Sequence, residues 1–376
     1  MAPSVPIDRE EILEGIRGWV EIETPTVEPE AVNRLVTKVE NDYRALGATT
    51  QRIPGRDGFG DLLKVRTPWG DDSPGVLVLA HLDTVHPKGT LEKDLRFRVE
   101  GDRAYGPGIY DMKGGGYLGF YAFRQFRRQN RETPLPITFL YNSDEELSSP
   151  TSRPVIEEEA GKARYVLVLE PAREGGKIVT ARKGSARFNI RITGRPAHSG
   201  SKHAEGRSAI KELARQIIAL EEMTDYETGL TVNVGVISGG TRPNVIPATA
   251  TAYVDMRVPT AEIAEEAVAK VLALKAYDPD VTVEVTGELK RPPYERLPHN
   301  IELFAHAKEL AAEIGFELRD LKTGGGSDGN FTARTVPTLD GLGVDGTGAH
   351  TFEEHLLVSS LEPRAALVIR LMETLS

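Results

Sequence analysis

Short apolar runs in the chain fall into two kinds, continuous and alternating. The continuous kind occurs three times, at 76–80, 137–141 and 165–170. Such runs are typical of strands that are buried on both faces of a parallel sheet. Between the first two runs, the apolar side of 116–129 predicts a helix, so this part of the chain has the pattern of an α/β fold.

The alternating kind occurs between about 184 and 290. Apolar and polar residues alternate in four segments, which are 185–193, 231–236, 249–258 and 281–289. This period of two predicts strands of an antiparallel sheet with one packed and one wet face. Two helical patterns, at 207–223 and 261–274, lie among them. The resulting order β-α-β-β-α-β is that of ferredoxin-like folds, with both helices on one face of the sheet.

The α/β pattern returns after about residue 294. It predicts a helix near 301–314, a Gly-rich loop at 324–329, a strand around 336–342 and a final helix near 360–374. We therefore predict a mostly parallel α/β domain built from 1–183 and 293–376, with an α+β domain of 184–292 inserted into it. A chain of 376 residues is of ordinary length for two domains.

Composition narrows the chemistry. The chain has no cysteine, which excludes disulfides, thiolate metal sites, iron–sulfur clusters and a cysteine nucleophile. A transition-metal site must then use His, Asp and Glu. The formal net charge of −10 argues against nucleic acid and anionic membranes as partners. No apolar run is long enough for a membrane helix, and no signal peptide is readable in 1–19, so we expect a soluble, cytoplasmic protein.

Residues that commonly bind metals follow each of the three continuous strands. His81 and Asp83 follow the first, Glu145 and Glu146 the second, and Glu170 the third. Ligands collect beyond the carboxyl ends of strands in open α/β sheets, so these groups should converge in one crevice. Singly, a histidine at a strand end or two glutamates at a helix start would be ordinary structural features. Three such coincidences on separate strands favour a metal site.

Two further candidates lie in Gly-rich segments. Asp111 stands just before the helix that starts near 115, where its carboxylate could bridge two metals; its ordinary interpretation is an acidic residue near a helix N-terminus. His350 lies in the loop before the last helix. His355 is its rival, but it lies closer to the helix and outside such a loop, so we favour His350.

Two histidines and several carboxylates suit a pair of zinc ions or similar metals. Paired metals about 3.5–4 Å apart polarise a carbonyl and lower the pKa of a shared water to about 7. Asp83 is placed to accept the second ring N–H of His81 and so to orient it. Only one of the two adjacent glutamates is needed as a ligand, and the other could move a proton from the water to the leaving amine.

Eight motifs occur in an order that resembles a known family. They are HLDTVHPKGT (81–90), AYGPGIYDMKGG (104–115), SDEELSS (143–149), LEP (169–171), GRPAHSG (194–200), GGTRPNVIPATATAYVDMR (239–257), TGGGSDG (323–329) and GAHTFEEH (348–355). The chain is similar over almost its whole length to the co-catalytic zinc aminoacylases and carboxypeptidases, most of all to the carboxypeptidase-G-type glutamate carboxypeptidases.

The resemblance implies a role for each residue of the candidate centre. Asp111 would bridge two zinc ions, for which cobalt or manganese could substitute. His81 and Glu170 would complete one zinc site, and Glu146 and His350 the other. Glu145 would be the general base and Asp83 the support of His81. The peptide bond after Asp111 is expected to be cis, as in the family.

The resemblance also implies roles in the inserted domain. His198 resembles the histidine that reaches the partner subunit's active site and stabilises the tetrahedral oxyanion, although the pattern alone would make it a loop residue. Asn244 and Arg257 resemble residues that hold the terminal carboxylate of the substrate, whereas the pattern alone makes Arg257 a solvated arginine on the wet face of its strand. The inserted domain would form a homodimer.

The leading interpretation is therefore metal-dependent hydrolysis of an amide or peptide bond next to a free carboxylate, with release of C-terminal glutamate or a similar amino acid. The alternative is deacylation of an N-acyl amino acid at the same di-zinc site. A phosphate- or nucleotide-binding protein is weakly supported, because neither Gly-rich loop has the order of a P-loop or of a dinucleotide-binding turn. A non-catalytic relative would be expected to lack a ligand or the base, yet all six positions are filled.

Overall fold

The computed structural model describes residues 6–70 and 73–376. The first five residues of the segment 1–19, in which no signal peptide is readable, lie outside the described residues. The described chain forms two compact units. The first comprises Met1–Ala181, Arg296–Lys322 and Ser327–Ser376, and the second Arg182–Glu295 and Thr323–Gly326. The inserted domain was predicted at 184–292. Residues 323–326, which we had predicted for the α/β domain, group with the second unit.

Elements are numbered along the chain. The helices are α1 (Arg9–Val20), α2 (Pro29–Ala45), α3 (Thr90–Lys93), α4 (Gly114–Arg128), α5 (Arg153–Ala160), α6 (Ala209–Glu221), α7 (Ala261–Leu272), α8 (Pro298–Ile314), α9 (Gly329–Thr332) and α10 (Leu361–Thr374). The strands are β1 (Thr49–Ile53), β2 (Leu62–Arg66), β3 (Gly75–His81), β4 (Arg98–Glu100), β5 (Arg103–Tyr105), β6 (Ile137–Asn142), β7 (Ala163–Val168), β8 (Ile178–Arg182), β9 (Gly184–Thr193), β10 (Thr231–Gly239), β11 (Thr249–Val258), β12 (Thr282–Arg291), β13 (Asp320–Thr323), β14 (Thr338–Leu339), β15 (Gly346–Thr347) and β16 (His355–Leu357).

A six-stranded sheet in the order β1-β2-β6-β3-β7-β14 organises the first unit. Strands β6, β3, β7 and β14 are parallel to one another, and at one edge β2 pairs antiparallel with β6 on one side and with β1 on the other. Strand β3 shows why its sequence is apolar throughout. Val76, Val78 and Ala80 pack into one core cluster, and Leu77 and Leu79 pack into another. The predicted α/β class with a mostly parallel sheet is confirmed.

One predicted strand of this sheet is much shorter than expected. The sequence predicted a strand around 336–342, but only Thr338–Leu339 (β14) pairs with β7. Gly341 has a φ of 79°, in the left-handed region, which interrupts the extended path soon after β14, although the N–H of Leu342 still donates to the carbonyl of Val168 in β7 at 3.2 Å. The N-terminal elements α1, α2, β1 and β2 and a second sheet, β15-β16-β5-β4, were not predicted.

The second unit contains an antiparallel sheet in the order β10-β11-β9-β12. Its chain order β9-α6-β10-β11-α7-β12 is the predicted ferredoxin-like arrangement. Inward residues of β9, such as Phe188, Ile190 and Ile192, form one core with those of the neighbouring strands and of both helices. Each helix begins at a hydroxyl cap, with Ser208 accepting the N–H of Lys211 and Thr260 that of Ile263.

Candidate metal centre

The carboxyl ends of the parallel strands bring the first candidate ligands together. His81 is the last residue of β3 and lies opposite Asn142, the last residue of β6, so the turn after β6 places Glu145 beside it. His81 Nε2 lies 4.0 Å from Glu145 Oε2 and 3.8 Å from Glu170 Oε1. The parallel register thus places three candidate residues within reach of one ion.

Asp111 lies between two histidines. Its Oδ1 is 3.3 Å from His81 Nε2, and its Oδ2 is 3.5 Å from His350 Nε2. His350 Nε2 is also 3.1 Å from Glu146 Oε2. The two carboxylate oxygens of Asp111 therefore face two different imidazoles, which is the arrangement that a carboxylate bridging two metals requires. The peptide bond between Asp111 and Met112 is cis, as the resemblance implied.

The residues of this cluster fit a divalent metal. Two overlapping sets, His81 with Glu145 and Glu170, and His81 with Asp111 and Glu146, place their ligand atoms within 4.8 Å of one another. His81 Nε2 and Glu146 Oε1 are buried without a hydrogen-bond partner among the described residues. Buried polar atoms normally have partners, so these two mark places where an ion would bind. The distances between these atoms do not by themselves distinguish Glu145, which we expect to be the general base, from the residues that we expect to bind the metal.

The charges of the cluster favour cations. Burial by itself lowers the pKa of His81, but the Asp111 and Asp83 carboxylates raise it well above its usual value. The same kind of contact, with Asp111 and Glu146, raises the pKa of His350 to about 10. Burial raises the pKa of Asp111, yet the two histidines hold it well below its usual value. The centre is therefore a concentration of negative charge that favours a bound cation.

Asp83 lies against the Nδ1 side of the His81 ring with both its main chain and its side chain. The atom at hydrogen-bond distance from His81 Nδ1 is the main-chain carbonyl oxygen of Asp83, at 2.9 Å, while the carboxylate Oδ1 is 3.4 Å away. The carboxylate accepts the N–H groups of Glu145 (3.3 Å) and Glu146 (3.2 Å) and the hydroxyl of Thr26 (2.9 Å). Asp83 therefore ties the end of β3 to the turn that carries both glutamates.

The structure separates the two histidines of the last Gly-rich motif. His350 lies in the loop with a φ of 64°, and its Nε2 is 3.1 Å from Glu146 Oε2. His355 begins β16, where its ring packs 5.0 Å from that of Tyr105 and its Nδ1 lies 2.8 Å from the carbonyl oxygen of Glu353. His350 is thus the histidine that the fold brings to the candidate ligands.

The three candidates of the inserted domain lie in the second unit. His198 is exposed, and its Nδ1 accepts the N–H groups of Gly200 (3.1 Å) and Ser201 (3.2 Å), which leaves the ring proton on Nε2. Asn244, also exposed, lies on the neighbouring segment, where its main-chain carbonyl oxygen accepts the N–H of Ser199 at 3.1 Å. The structure thus places His198 and Asn244 on adjoining loops.

Arg257 has a partner that the sequence interpretation missed. Its Nε donates to Asp255 Oδ1 at 2.7 Å and its Nη2 to Asp255 Oδ2 at 3.1 Å. Both residues are on the half-buried wet face of β11, two positions apart. The alternation of this strand contained the signal, because residues two apart share a face. The guanidinium of Arg257 is thus paired with a carboxylate of its own strand.

Two other buried carboxylates near the centre were also missed. Glu354 bonds to the backbone around Asp111, and Asp328 of the TGGGSDG motif accepts from Asn142 Nδ2 at 2.5 Å and from the Ser149 hydroxyl. Both lie in the quoted motifs, but their sequence neighbourhood carries no sign of these partners.

In residues 6–70 and 73–376, no helix is long and apolar enough to cross a membrane.

Comparison with known proteins identifies related chains. Residues 77–374 match the family described as Peptidase family M20/M25/M40. Carboxypeptidase G2 of Pseudomonas sp. (strain RS-16) is 31% identical over 96% of this chain and 88% of its own length. A succinyl-diaminopimelate desuccinylase of Paracidovorax citrulli is 27% identical over 94% of this chain and 96% of its own. The crystal structure of aminopeptidase PepT from Bacillus cereus shares the fold, with a TM-score of 0.77 at 24% identity over 98% of both chains.

Proposed function

The chain belongs to peptidase family M20/M25/M40, a family of metallohydrolases with a co-catalytic metal site, and on this basis we propose its reaction. It hydrolyses an amide or peptide bond next to a free carboxylate and releases C-terminal glutamate or a similar amino acid. The observation that carries the reaction type is the placement of Asp111 between His81 and His350. Similarity to carboxypeptidase G2 over 96% of the chain supports the carboxypeptidase branch.

The proposal assigns the ligands as the resemblance implies. His81 and Glu170 would hold one ion, Glu146 and His350 the other, and Asp111 both. Zinc suits this set of imidazole and carboxylate ligands, with cobalt or manganese as substitutes. When bound, such a pair polarises a carbonyl and makes water more acidic.

Glu145 moves the proton in this proposal. It follows β6 in a short turn whose backbone N–H groups are held by Asp83, so its carboxylate has a defined position beside His81. As the oxygen of water bonds to the amide carbon, Glu145 accepts the proton of that water. It returns the proton to the nitrogen as the C–N bond breaks, so that the products are a carboxylic acid and an amine.

Residues of the inserted domain would recognise the substrate. His198 presents an Nε2–H donor suited to the oxyanion of the tetrahedral species, in the partner subunit as the resemblance implies. Asn244 and Arg257 would bind the terminal carboxylate. A homodimer through this domain is supported by the edge strand β10, where Val236 and Ile237 are 58% and 61% exposed.

Deacylation of an N-acyl amino acid is the second candidate. It is supported by the 27% identity to a succinyl-diaminopimelate desuccinylase over 94% of this chain. The same metal ligands and the same base would serve both reactions, so the substrate must be found by experiment.

A hydrolysis panel tests the proposal. Zinc-loaded protein and a chelated control would be given substrates with one constant acyl group and varied terminal amino acids, then glutamate with varied acyl groups. We expect turnover that depends on a C-terminal glutamate and is lost on chelation. Turnover that follows the acyl group would move the protein to the deacylases, and hydrolysis that survives chelation would contradict a metal-dependent reaction.

A further inference from the structure

Glu354 is a carboxylate buried to 1% exposure, and four donors surround it. Its Oε1 accepts the N–H groups of Tyr110 and Asp111, each at 2.9 Å. Its Oε2 accepts the N–H of Gly108 at 3.0 Å and lies 2.6 Å from His86 Nε2. Because an ionised carboxylate only accepts hydrogen bonds, His86 donates through Nε2. Every described contact of this carboxylate is thus with a donor.

These donors belong to the segments that carry the candidate metal ligands. Asp111 itself supplies one N–H group. His86 follows His81 by five residues, and Glu354 follows His350 by four. One buried carboxylate therefore connects the three segments that present His81, Asp111 and His350.

The packing around Glu354 leaves little freedom for the Asp111 segment. Gly108 has a φ of 71°, and a Cβ on it would come within 2.4 Å of Thr84 Cγ2. The chain from Gly108 to Asp111 therefore lies directly against the segment that leads from His81 to His86. The His86 ring in turn packs 6.4 Å from that of Phe352, in the His350 loop.

We propose that Glu354, together with His86, is a positioning residue that holds the backbone of Asp111 so that its two carboxylate oxygens face His81 and His350. This inference rests on the metal centre of the proposed function. Glu354 touches none of the candidate ligand atoms, and its effect would pass through the N–H groups of residues 108–111. Residues that orient metal ligands in this way typically contribute about 10- to 100-fold to metal affinity or activity.

The variant Glu354→Gln tests the proposal with little change in volume. Its amide group would place N–H donors against backbone or ring N–H groups, so at least one of these contacts becomes repulsive. We expect zinc affinity, measured by chelator competition, to fall about 10- to 100-fold. The visible absorption spectrum of the cobalt-loaded protein should change, because it reports ligand geometry. In the zinc enzyme, kcat should fall while KM changes less.

Glu212→Gln is a matched control. Glu212 is also a buried carboxylate, 2% exposed, and it accepts two backbone N–H groups, of Tyr277 (2.9 Å) and Asp278 (3.2 Å), and the side-chain amide of Gln216 (2.8 Å). It lies in the second unit. We expect this variant to keep the zinc affinity and cobalt spectrum of the wild type. A folded Glu354→Gln protein that matches Glu212→Gln in both measurements would overturn the proposal.

His86→Phe decides the question if Glu354→Gln does not fold. It removes one donor and keeps a ring against Phe352, while the three backbone bonds of Glu354 remain. A fall in zinc affinity with a changed cobalt spectrum would support the proposal, and wild-type values of both would overturn it. Neither measurement uses a substrate. A protein that binds two ions but hydrolyses nothing in the panel would therefore contradict the proposed function without affecting this test.

Discussion

In the first unit, the candidate metal ligands His81, Asp111 and Glu170 are buried and His350 is exposed, whereas in the second unit His198 and Asn244 are both exposed. The first group is held by contacts between distant segments. Asp83, which lies beside His81, accepts the N–H groups of Glu145 and Glu146, more than 60 positions further along the sequence. The His198 ring accepts N–H groups of its own loop, two and three residues ahead, while the backbone of His198 forms an antiparallel bridge with Val245.

We expect this difference to separate the effects of substitutions in the two units. Contacts between distant segments fix the ligand geometry of the first unit, so a substitution there should act on metal binding or on the chemical step. Exposed side chains can change without disturbing a core, so a substitution of His198 or Asn244 should leave metal binding intact. The kinetic effects of substitutions should therefore separate along the boundary between the two units.

Glu145→Gln should have the largest effect. It removes the proton acceptor and keeps the shape of the side chain, so kcat should fall about 10²- to 10⁴-fold while both metals stay bound. Steady-state kinetics and metal analysis of the same preparation would check this. Glu157→Gln, an exposed residue of α5, is the control and should retain wild-type turnover. Near-wild-type kcat in Glu145→Gln would remove Glu145 from the mechanism.

His198→Ala should have the next largest effect, and it tests the second unit. Loss of one preorganised donor to an oxyanion typically lowers kcat about 10²- to 10³-fold. Metal content should be unchanged, because His198 lies outside the cluster of candidate ligands. His203→Ala, five residues further along and also exposed, should match the wild type. Loss of metal from the His198 variant would contradict the division between the units.

Much of the first unit could be predicted from sequence for a physical reason. Continuous apolar runs identify parallel strands, and the carboxyl ends of such strands meet at one edge of the sheet, so the proximity of His81, Glu145 and Glu170 follows from the pattern alone. The choice of His350 over His355 required only that site residues favour loops. The alternating strands of the second unit were equally readable, because one face of that sheet is wet.

The missed features depend on pairings between distant segments. Glu354 reaches the Asp111 loop because β16 pairs with β5, which sets His355 opposite Tyr105. Both strands have only three residues, too few for a hydrophobic period to show. The contact of His81 with the carbonyl oxygen of Asp83, in addition to that with its carboxylate, depends on local geometry that spacing does not determine. The types of residue in a sequence indicate where a site lies, but they do not show which contacts between distant segments hold its side chains in place.

The smallest expected effect concerns Arg257, for which two variants should act in opposite directions. Arg257→Ala removes the guanidinium that would bind the substrate carboxylate, so KM should rise roughly tenfold, corresponding to about 1.5 kcal/mol for a charged hydrogen bond. Asp255→Asn removes the competing carboxylate, so KM should fall. Initial-rate measurements on one glutamate substrate would give both values.

A substrate whose terminal carboxylate is capped as an amide separates the two interpretations of this pair. If Arg257 binds the carboxylate, both shifts in KM should disappear with the capped substrate, because the guanidinium then has no anion to receive. If the ion pair with Asp255 only stabilises β11, the two variants should change KM in the same direction and for both substrates alike. Opposite shifts would mean that Asp255 tunes substrate affinity by occupying Arg257 in the free enzyme, so that the second unit, unlike the first, exchanges one of its internal contacts for the substrate.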